Sequence, residues 1–388
     1  MPSLYRAYRN KVSNKLTGVV HIPYQGSARK GAVLLSYMTS PFTQGLGEYP
    51  TDPHTNYWEC AEIARLFAIR GYDVDVIDAK NMHFVPRKNY AACVDINTNL
   101  ERLSPLLGAV CKKVLHITFS YGVFQTAAEK RRLEALFIRR DIRLSSMRPE
   151  PVTQSPAYAD HLEGFGNTAV HRTYAQFNKP IFPIPISVAK EYPFQEQKDW
   201  DASKKHFLWF GGGGALLKGL DLMVEAFAAL PEYVLHIVGP AAFESEFETA
   251  FAQELSLPNI IRYPRPHLTI DGELLIGSKP FMTLMNQCSS IIYPSASEGT
   301  SGAVIQAMHA SVIPIMTRET GIADDAPVTL LPAATIKNIQ GMAHEIVQSS
   351  PEELAARARS SWNYVHTHHT RRTFTVAYTE FIETILKL

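Results

Sequence analysis

Residues 207–222 read FLWFGGGGALLKGLDL: a short apolar run, four glycines, a lysine and the start of an amphipathic repeat. The run 206–210 has the length and aromatic content of a buried strand, and Leu220, Met223, Val224 and Phe227 fall at helical spacing. A strand feeding glycines and then a helix start brings bare backbone amides and a positive dipole end together, which favours an anion. Lys218, placed at that helix start, adds a full charge within reach of a phosphate. The common phosphate loops do not match. A P-loop needs Gly where Leu217 stands and Ser or Thr where Gly219 stands. A GxGxxG loop counted from Gly211 needs Gly where Leu216 stands, and Gly45-Leu46-Gly47 lacks its third glycine.

A second stretch, IIYPSASEGTSGAVIQAMH over 291–309, has the same grammar: a strand ending at Pro294, a small polar loop, and a helix beginning near Gly302. Its one acid, Glu298, stands beside the amides of Gly299, Thr300, Ser301 and Gly302, where a carboxylate suits hydrogen bonds to sugar hydroxyls.

Outward from these stretches, both halves alternate apolar runs with helical periodicity, the signature of parallel sheets covered by helices. Strands are expected over 32–37, 73–77 and 113–118, then over 206–210, 234–238, 260–263, 290–293 and 312–316. Helices are expected around Cys60 to Phe67 with a stop at Gly71, over 129–140, around Phe243 to Phe251 and around Phe281 to Cys288. The best linker is 181–200, with Pro183, Pro185 and Pro193. Phe374, Ala377, Tyr378, Phe381, Ile382 and Ile385 give the last helix an apolar face that must pack on something. The class is α/β, two doubly wound domains with the cleft between them as the site.

Composition sets the limits. The 388 residues are 46% hydrophobic and 19% charged, which suits a globular enzyme and excludes a disordered or fibrous chain. Four sparse cysteines suit a reducing compartment, and the polar, basic residues 1–16 do not read as a secretory leader. No run is apolar enough to span a membrane, so a cytoplasmic location is expected. Net charge is +1, but residues 1–186 carry 23 Lys/Arg against 15 Asp/Glu and residues 187–388 carry 15 against 22. A basic half joined to an acidic half suggests two domains with different partners.

The two stretches together resemble the C-terminal domain of retaining GT-B glycosyltransferases of the family 4 type. The resemblance is carried by the glycine loop before Lys218-Gly219-Leu220-Asp221, by Ile237-Val238-Gly239, by Pro294-Ser295 with Glu298-Gly299, and by Ala307-Met308 and Ile313-Pro314. It extends more weakly into the first half through Gly71-Tyr72-Asp73-Val74. It implies a GT-B fold of two Rossmann-like domains: an acceptor domain of 1–186 plus about 371–388, where the last helix crosses back, and a donor domain of 187–370. It further implies that Lys218 holds the donor diphosphate, assisted by Gly211, Gly212, Gly213, Gly214, Thr300, Ser301 and Gly302, and that Glu298 binds the transferred sugar. His116 stands near a position where the family often has a histidine facing the donor. Gly45, Gly47 and His54 would lie on the acceptor side. Two positions depart from the pattern. Gly213 stands where an arginine is usual, and Gln306 stands where a second glutamate grips the ribose, although glutamine can still accept from and donate to its hydroxyls.

The expected activity is therefore transfer of a sugar from a nucleotide-sugar donor to a saccharide or lipid-linked hydroxyl acceptor, with retention. No cofactor and no metal are expected: Asp73-Val74-Asp75 lies at a strand start, and His366, His368 and His369 read as helix-end histidines. Lys130, Arg131, Arg132, Arg139, Arg140, Arg143 and Arg148 form a basic stretch that reads either as a solvated face or as a patch for anionic lipid, a peripheral membrane contact. Nucleic acid is not expected as a partner. Two other readings stay open: a GT-B epimerase or hydrolase, and a nucleotide-sugar-binding protein without turnover.

Overall fold

The computed structural model describes residues 18–43, 55–145, 148, 150–263 and 276–387. The first sheet holds β1 (Val19–Ile22), β2 (Gly31–Tyr37), β3 (Tyr72–Asp78), β4 (Ala92–Asp95), β5 (Lys112–Ile117), β6 (His161–Gly164) and β7 (Ile181–Pro183), in the order β1-β3-β2-β4-β5-β6-β7. All pairings are parallel except β1 on β3. The second sheet is wholly parallel: β8 (His206–Phe210), β9 (Val234–Val238), β10 (Ile260–Tyr263), β11 (Ser290–Tyr293), β12 (Ile313–Met316) and β13 (Thr329–Leu330), in the order β10-β9-β8-β11-β12-β13. Two Rossmann-like sheets facing one cleft make a GT-B fold. Strands such as β2, whose Val33, Leu34 and Leu35 are fully buried, are covered on both faces, so they read as apolar runs rather than alternating ones.

Several boundaries differ from the sequence reading. Helix α1 (Thr55–Ile69) ends as expected at Gly71, whose φ of +102° only glycine adopts easily. The basic helix, α2 (Gly122–Arg140), begins seven residues earlier than expected. The aromatic stretch near Phe247 is broken into two short helices, Ser245–Ala250 and Ala252–Leu255. The linker loses its first residues to β7, where Pro183 is tolerated because that strand is an edge. The last helix, Arg371–Leu386, packs on the first domain: Phe374 meets the Trp58 ring at 5.6 Å, Phe381 meets Phe182 at 5.4 Å, and Arg70 pairs with Glu383 at 2.8 Å.

Part of the charge asymmetry is met inside the molecule. From α2, Arg139 reaches Glu225 and the buried Asp221, both at 2.8 Å, and Arg140 pairs with Glu254 at 2.6 Å. Arg132 donates to the Pro294 carbonyl, and Arg148 donates to that of Gly213 at 2.9 Å. Arg143 lies over the Phe137 ring. Four of the seven residues of the basic stretch thus face the acidic second domain. The opposite rim is held by Asn167, whose side chain donates to the carbonyls of Arg318 and Ile322.

Histidines sit where the chain recrosses between domains. His309 donates to the His369 carbonyl, and His369 donates to that of Ile186. Burial pushes His309 down to about 3, and His369 and His236 each to about 4. Unfolded, each takes a proton near the usual ~6.5, so their contribution is intact above that value and is lost as pH falls toward 4. His116, held up by Glu163, acts in the opposite sense. The melting temperature should therefore drop by several degrees between pH 7.5 and 5; a flat profile in thermal melts would contradict this.

Candidate functional site

The glycine loop leaves the carboxyl end of β8, at the point where the second sheet reverses strand order, and the loop after β11 flanks it. Crevices form at such switch points. The helix after the glycines, α3 (Leu220–Ala228), begins later than expected. Residues 215–219 form a tight turn first, in which Lys218 N donates to the Gly214 carbonyl and Leu220 N to that of Ala215. Ala215, Leu216 and Leu217 are buried there, and Gly219, with φ +71°, passes under the Pro294 carbonyl where a side chain would not fit. Lys218 therefore projects from a turn, not from a helix N-terminus.

Its Nζ lies 2.6 Å from Glu298 Oε1 and 3.1 Å from the Tyr293 hydroxyl, which itself donates to Glu298 Oε1 at 2.9 Å. The two residues assigned separately to phosphate and to sugar are thus brought together as a buried ion pair. Burial pushes the Lys218 ammonium below its ordinary range, and Glu298 restores it only in part. For Glu298 burial works upward, but Lys218 first and Arg148 next hold the carboxyl below its usual value. Oε2 of Glu298 makes no hydrogen bond with a described residue.

The remaining candidates divide. The Gly211 amide donates to the Val238 carbonyl, and the amides of Gly214 and Ala215 are taken by the Glu244 carboxylate at 2.6 and 3.2 Å. Those of Gly212 and Gly213 bond to no described residue. Ser301 N donates to the Thr320 carbonyl and its hydroxyl caps helix α4 (Gly302–His309), while the Thr300 hydroxyl donates to Gly321. Gln306 accepts from Lys190 N at 3.1 Å and donates to Lys190 O at 2.7 Å. No glutamate could make that second bond.

His116 lies under the first domain rather than in the cleft. Strand β5 continues to Ile117, and the ring is fully buried with Nδ1 2.8 Å from Glu163, which also accepts from Tyr378. Its Nε2 has no partner among the described residues. The residues that follow it reach the cleft instead: Thr118 and Phe119 line it, and the Ser120 hydroxyl donates to the Glu298 carbonyl at 2.8 Å. Gly45, Gly47 and His54 lie outside the described residues, although Thr55 and Asn56, next in the chain, line the cleft. His366, His368 and His369 bond to three different backbone carbonyls, and among the described residues no group of three or more His, Cys, Asp or Glu could hold a metal ion.

Lys218, Tyr293, Glu298, Gly212, Gly213 and Gln306 line one side of an interdomain cavity of about 370 Å³, with Thr118, Phe119, Phe165 and Arg148 opposite. That volume suits a small-molecule ligand. Tyr293 and Arg148 are additions to the sequence reading. A tyrosine ending the buried strand Ser290–Tyr293 was the readable signal for the first, since a buried hydroxyl needs a partner. Arg148 gave no local signal.

Residues 204–352 match the family described as Glycosyl transferases group 1. That match falls within the second domain. No curated protein matches the chain as a whole. Among solved structures, sucrose-phosphate synthase from Thermosynechococcus elongatus superposes with a TM-score of 0.61 at 12% identity, over 92% of this chain and 100% of that one. Anabaena HepE in complex with UDP and glucose gives 0.57 at 11%, over 92% and 100%. TarM, of S. aureus, gives 0.52 at 13% over 76% of this chain, which spans about half (54%) of TarM. At these identities the likeness is one of fold.

A Cβ on Gly299 would collide with the Thr118 carbonyl, so the two domains touch there backbone to backbone. Gly299→Ala should part the loops and lower stability by about 1–3 kcal/mol. Thermal melts and small-angle scattering would register it; an unchanged melt with an unchanged radius of gyration would contradict the contact.

Proposed function

We propose that the protein transfers a glycosyl group from a nucleotide-sugar donor to a hydroxyl acceptor. The observation that carries this reading is the buried Lys218–Glu298–Tyr293 triangle in a cleft wall beside the amides of Gly212 and Gly213, which bond to no described residue. A cation and bare amides at one place, with a carboxylate next to them, match a diphosphate joined to a polyol. The family match over the second domain supports the same class.

In this reading negative charge grows on the diphosphate as the glycosidic bond breaks, and stabilising it is the largest electrostatic task. Lys218 meets it with the amides of Gly212 and Gly213, the chain itself supplying the positive charge without a bound metal. As phosphate approaches, the ammonium is shared between it and Glu298, whose unbonded Oε2 takes a sugar hydroxyl. Gln306, with both ends of its amide committed to Lys190, shapes the cleft rather than gripping a ribose. The acceptor, a saccharide or lipid-linked hydroxyl, enters from the first domain past Thr118 and Phe119. Retention follows if it attacks the face the phosphate leaves, the departing oxygen taking its proton.

A panel of UDP-, GDP- and ADP-sugars, with nucleotide release followed with and without saccharide and lipid acceptors, tests the class. Release only with acceptor supports transfer; epimerised donor, or binding without product, would assign the chain to the rival classes. Lys218→Met should lower turnover roughly a hundredfold, the range for losing one oxyanion-type contact. It also strands a buried carboxylate, so it should destabilise the fold by about 3 kcal/mol. Adding Glu298→Gln should return much of that stability without returning turnover. A double variant that regained both would show that the pair is structural only.

A further inference from the structure

The backbone of Arg148 is clamped to helix α2 of the first domain. Its N–H donates to both oxygens of Glu129, at 2.8 Å each, and its carbonyl accepts from the Gln125 side chain at 3.0 Å. Glu129 and Gln125 are buried, so the inner face of a helix with a basic exterior is committed to fixing one residue. The side chain then leaves its own domain. Cδ lies against Gly214, where an added Cβ would come within 3.2 Å of it, and Nη1 donates to the Gly213 carbonyl at 2.9 Å. Guanidinium carries five N–H donors, and no other side-chain donor of Arg148 bonds to a described residue. It lines the same cavity as Lys218, Gly212 and Gly213.

We propose that Arg148 is a second anion-binding cation of the donor site, reaching over from the first domain to take a diphosphate oxygen, with Glu129 as its positioning residue. The inference rests on the nucleotide-sugar reading and adds a dependence to it: the glycine loop of the second domain, which has no cation of its own at Gly213, is complete only with the first domain docked on it. A guanidinium spanning the domain boundary makes diphosphate binding and domain closure favour each other. Nucleoside binding, which needs no phosphate contact, is not coupled in this way.

The test is calorimetric titration of the full chain with UDP, GDP, ADP, their nucleosides and inorganic pyrophosphate. For whichever base the wild type takes, Arg148→Ala should weaken the diphosphate about tenfold or more, the scale of a lost charge-assisted contact, and leave the nucleoside within about twofold. Arg148→Lys should recover part of the loss, because it restores charge without the fork. Glu129→Gln should also weaken the diphosphate selectively. Diphosphate affinity within about twofold of wild type in Arg148→Ala, with Lys218→Met clearly weakened, would overturn the role of Arg148 and leave the donor site standing. Equal loss of nucleoside and diphosphate would reduce Arg148 to a structural contact. A wild type that binds neither nucleotide nor pyrophosphate would overturn the donor reading and this inference with it.

Discussion

The cleft is organised by a pair of opposite charges that have both left water. Lys218 and Glu298 meet at 2.6 Å, with the Tyr293 hydroxyl bonded to both. Removing each ion from solvent costs several kcal/mol, and only close geometry with further hydrogen bonds offsets that. The triangle ties together three separate pieces of chain: the turn after the glycines, the end of β11 and the loop before α4. With these fixed, Gly219 can pass under Pro294 and Gly299 can lie against the first domain. The pair is a weak source of net stability and a strong source of position. Neither charge can move without stranding the other, which suits a site that must hold the same shape before and after a ligand enters.

Charge complementarity adds to an apolar core that the domains share, one buried cluster running from Val33 and Phe67 through Phe165, Ile184 and Ile186 to Phe207 and Leu220. Arg132, Arg139, Arg140 and Arg148 reach the second domain, and Asp221, Glu225 and Glu254 receive two of them. Burial pushes the Asp221 carboxyl up, with Arg132 and Arg139 opposing it. The charged part of this interface is sensitive to salt. Hence the nearly neutral total conceals opposite charges that meet across the domain boundary at Arg139 and Arg140.

What was legible in the sequence was local. The bounds of β8, β9, β10 and β11 follow from short apolar runs ended by Gly or Pro, because buried parallel strands leave that mark in one dimension. Strands β1, β4, β6, β7 and β13 were not legible, being two to four residues long, at edges, or carrying polar residues such as Asp95 and Glu163. In the site, the glycine run and Glu298 were visible as motifs, but their contact is 80 residues long in sequence and leaves no periodic trace. The Gly213 departure could be read as a missing charge; that Arg148 stands over it could not, since 65 residues separate them. His116 was misplaced because strand β5 runs one residue past it and its ring is committed to the buried Glu163, a partner 47 residues away.

The amides already in use define what remains for a ligand. Glu244 fills those of Gly214 and Ala215, Thr320 takes that of Ser301, and Lys190 takes both ends of Gln306. Each bond rigidifies a loop that would otherwise have to be ordered on binding, at a cost in affinity. With no bond to a described residue there remain the amides of Gly212, Gly213, Gly299, Thr300 and Gly302, the other side-chain N–H groups of Arg148 and one oxygen of Glu298, beside the shared ammonium of Lys218. A substitution such as Gln at 306, which removes a carboxylate from the family pattern, is then not simply a loss. The amide closes a two-sided bond to the linker of which a carboxylate could make only the half that accepts from Lys190 N–H, and so fixes the linker against α4.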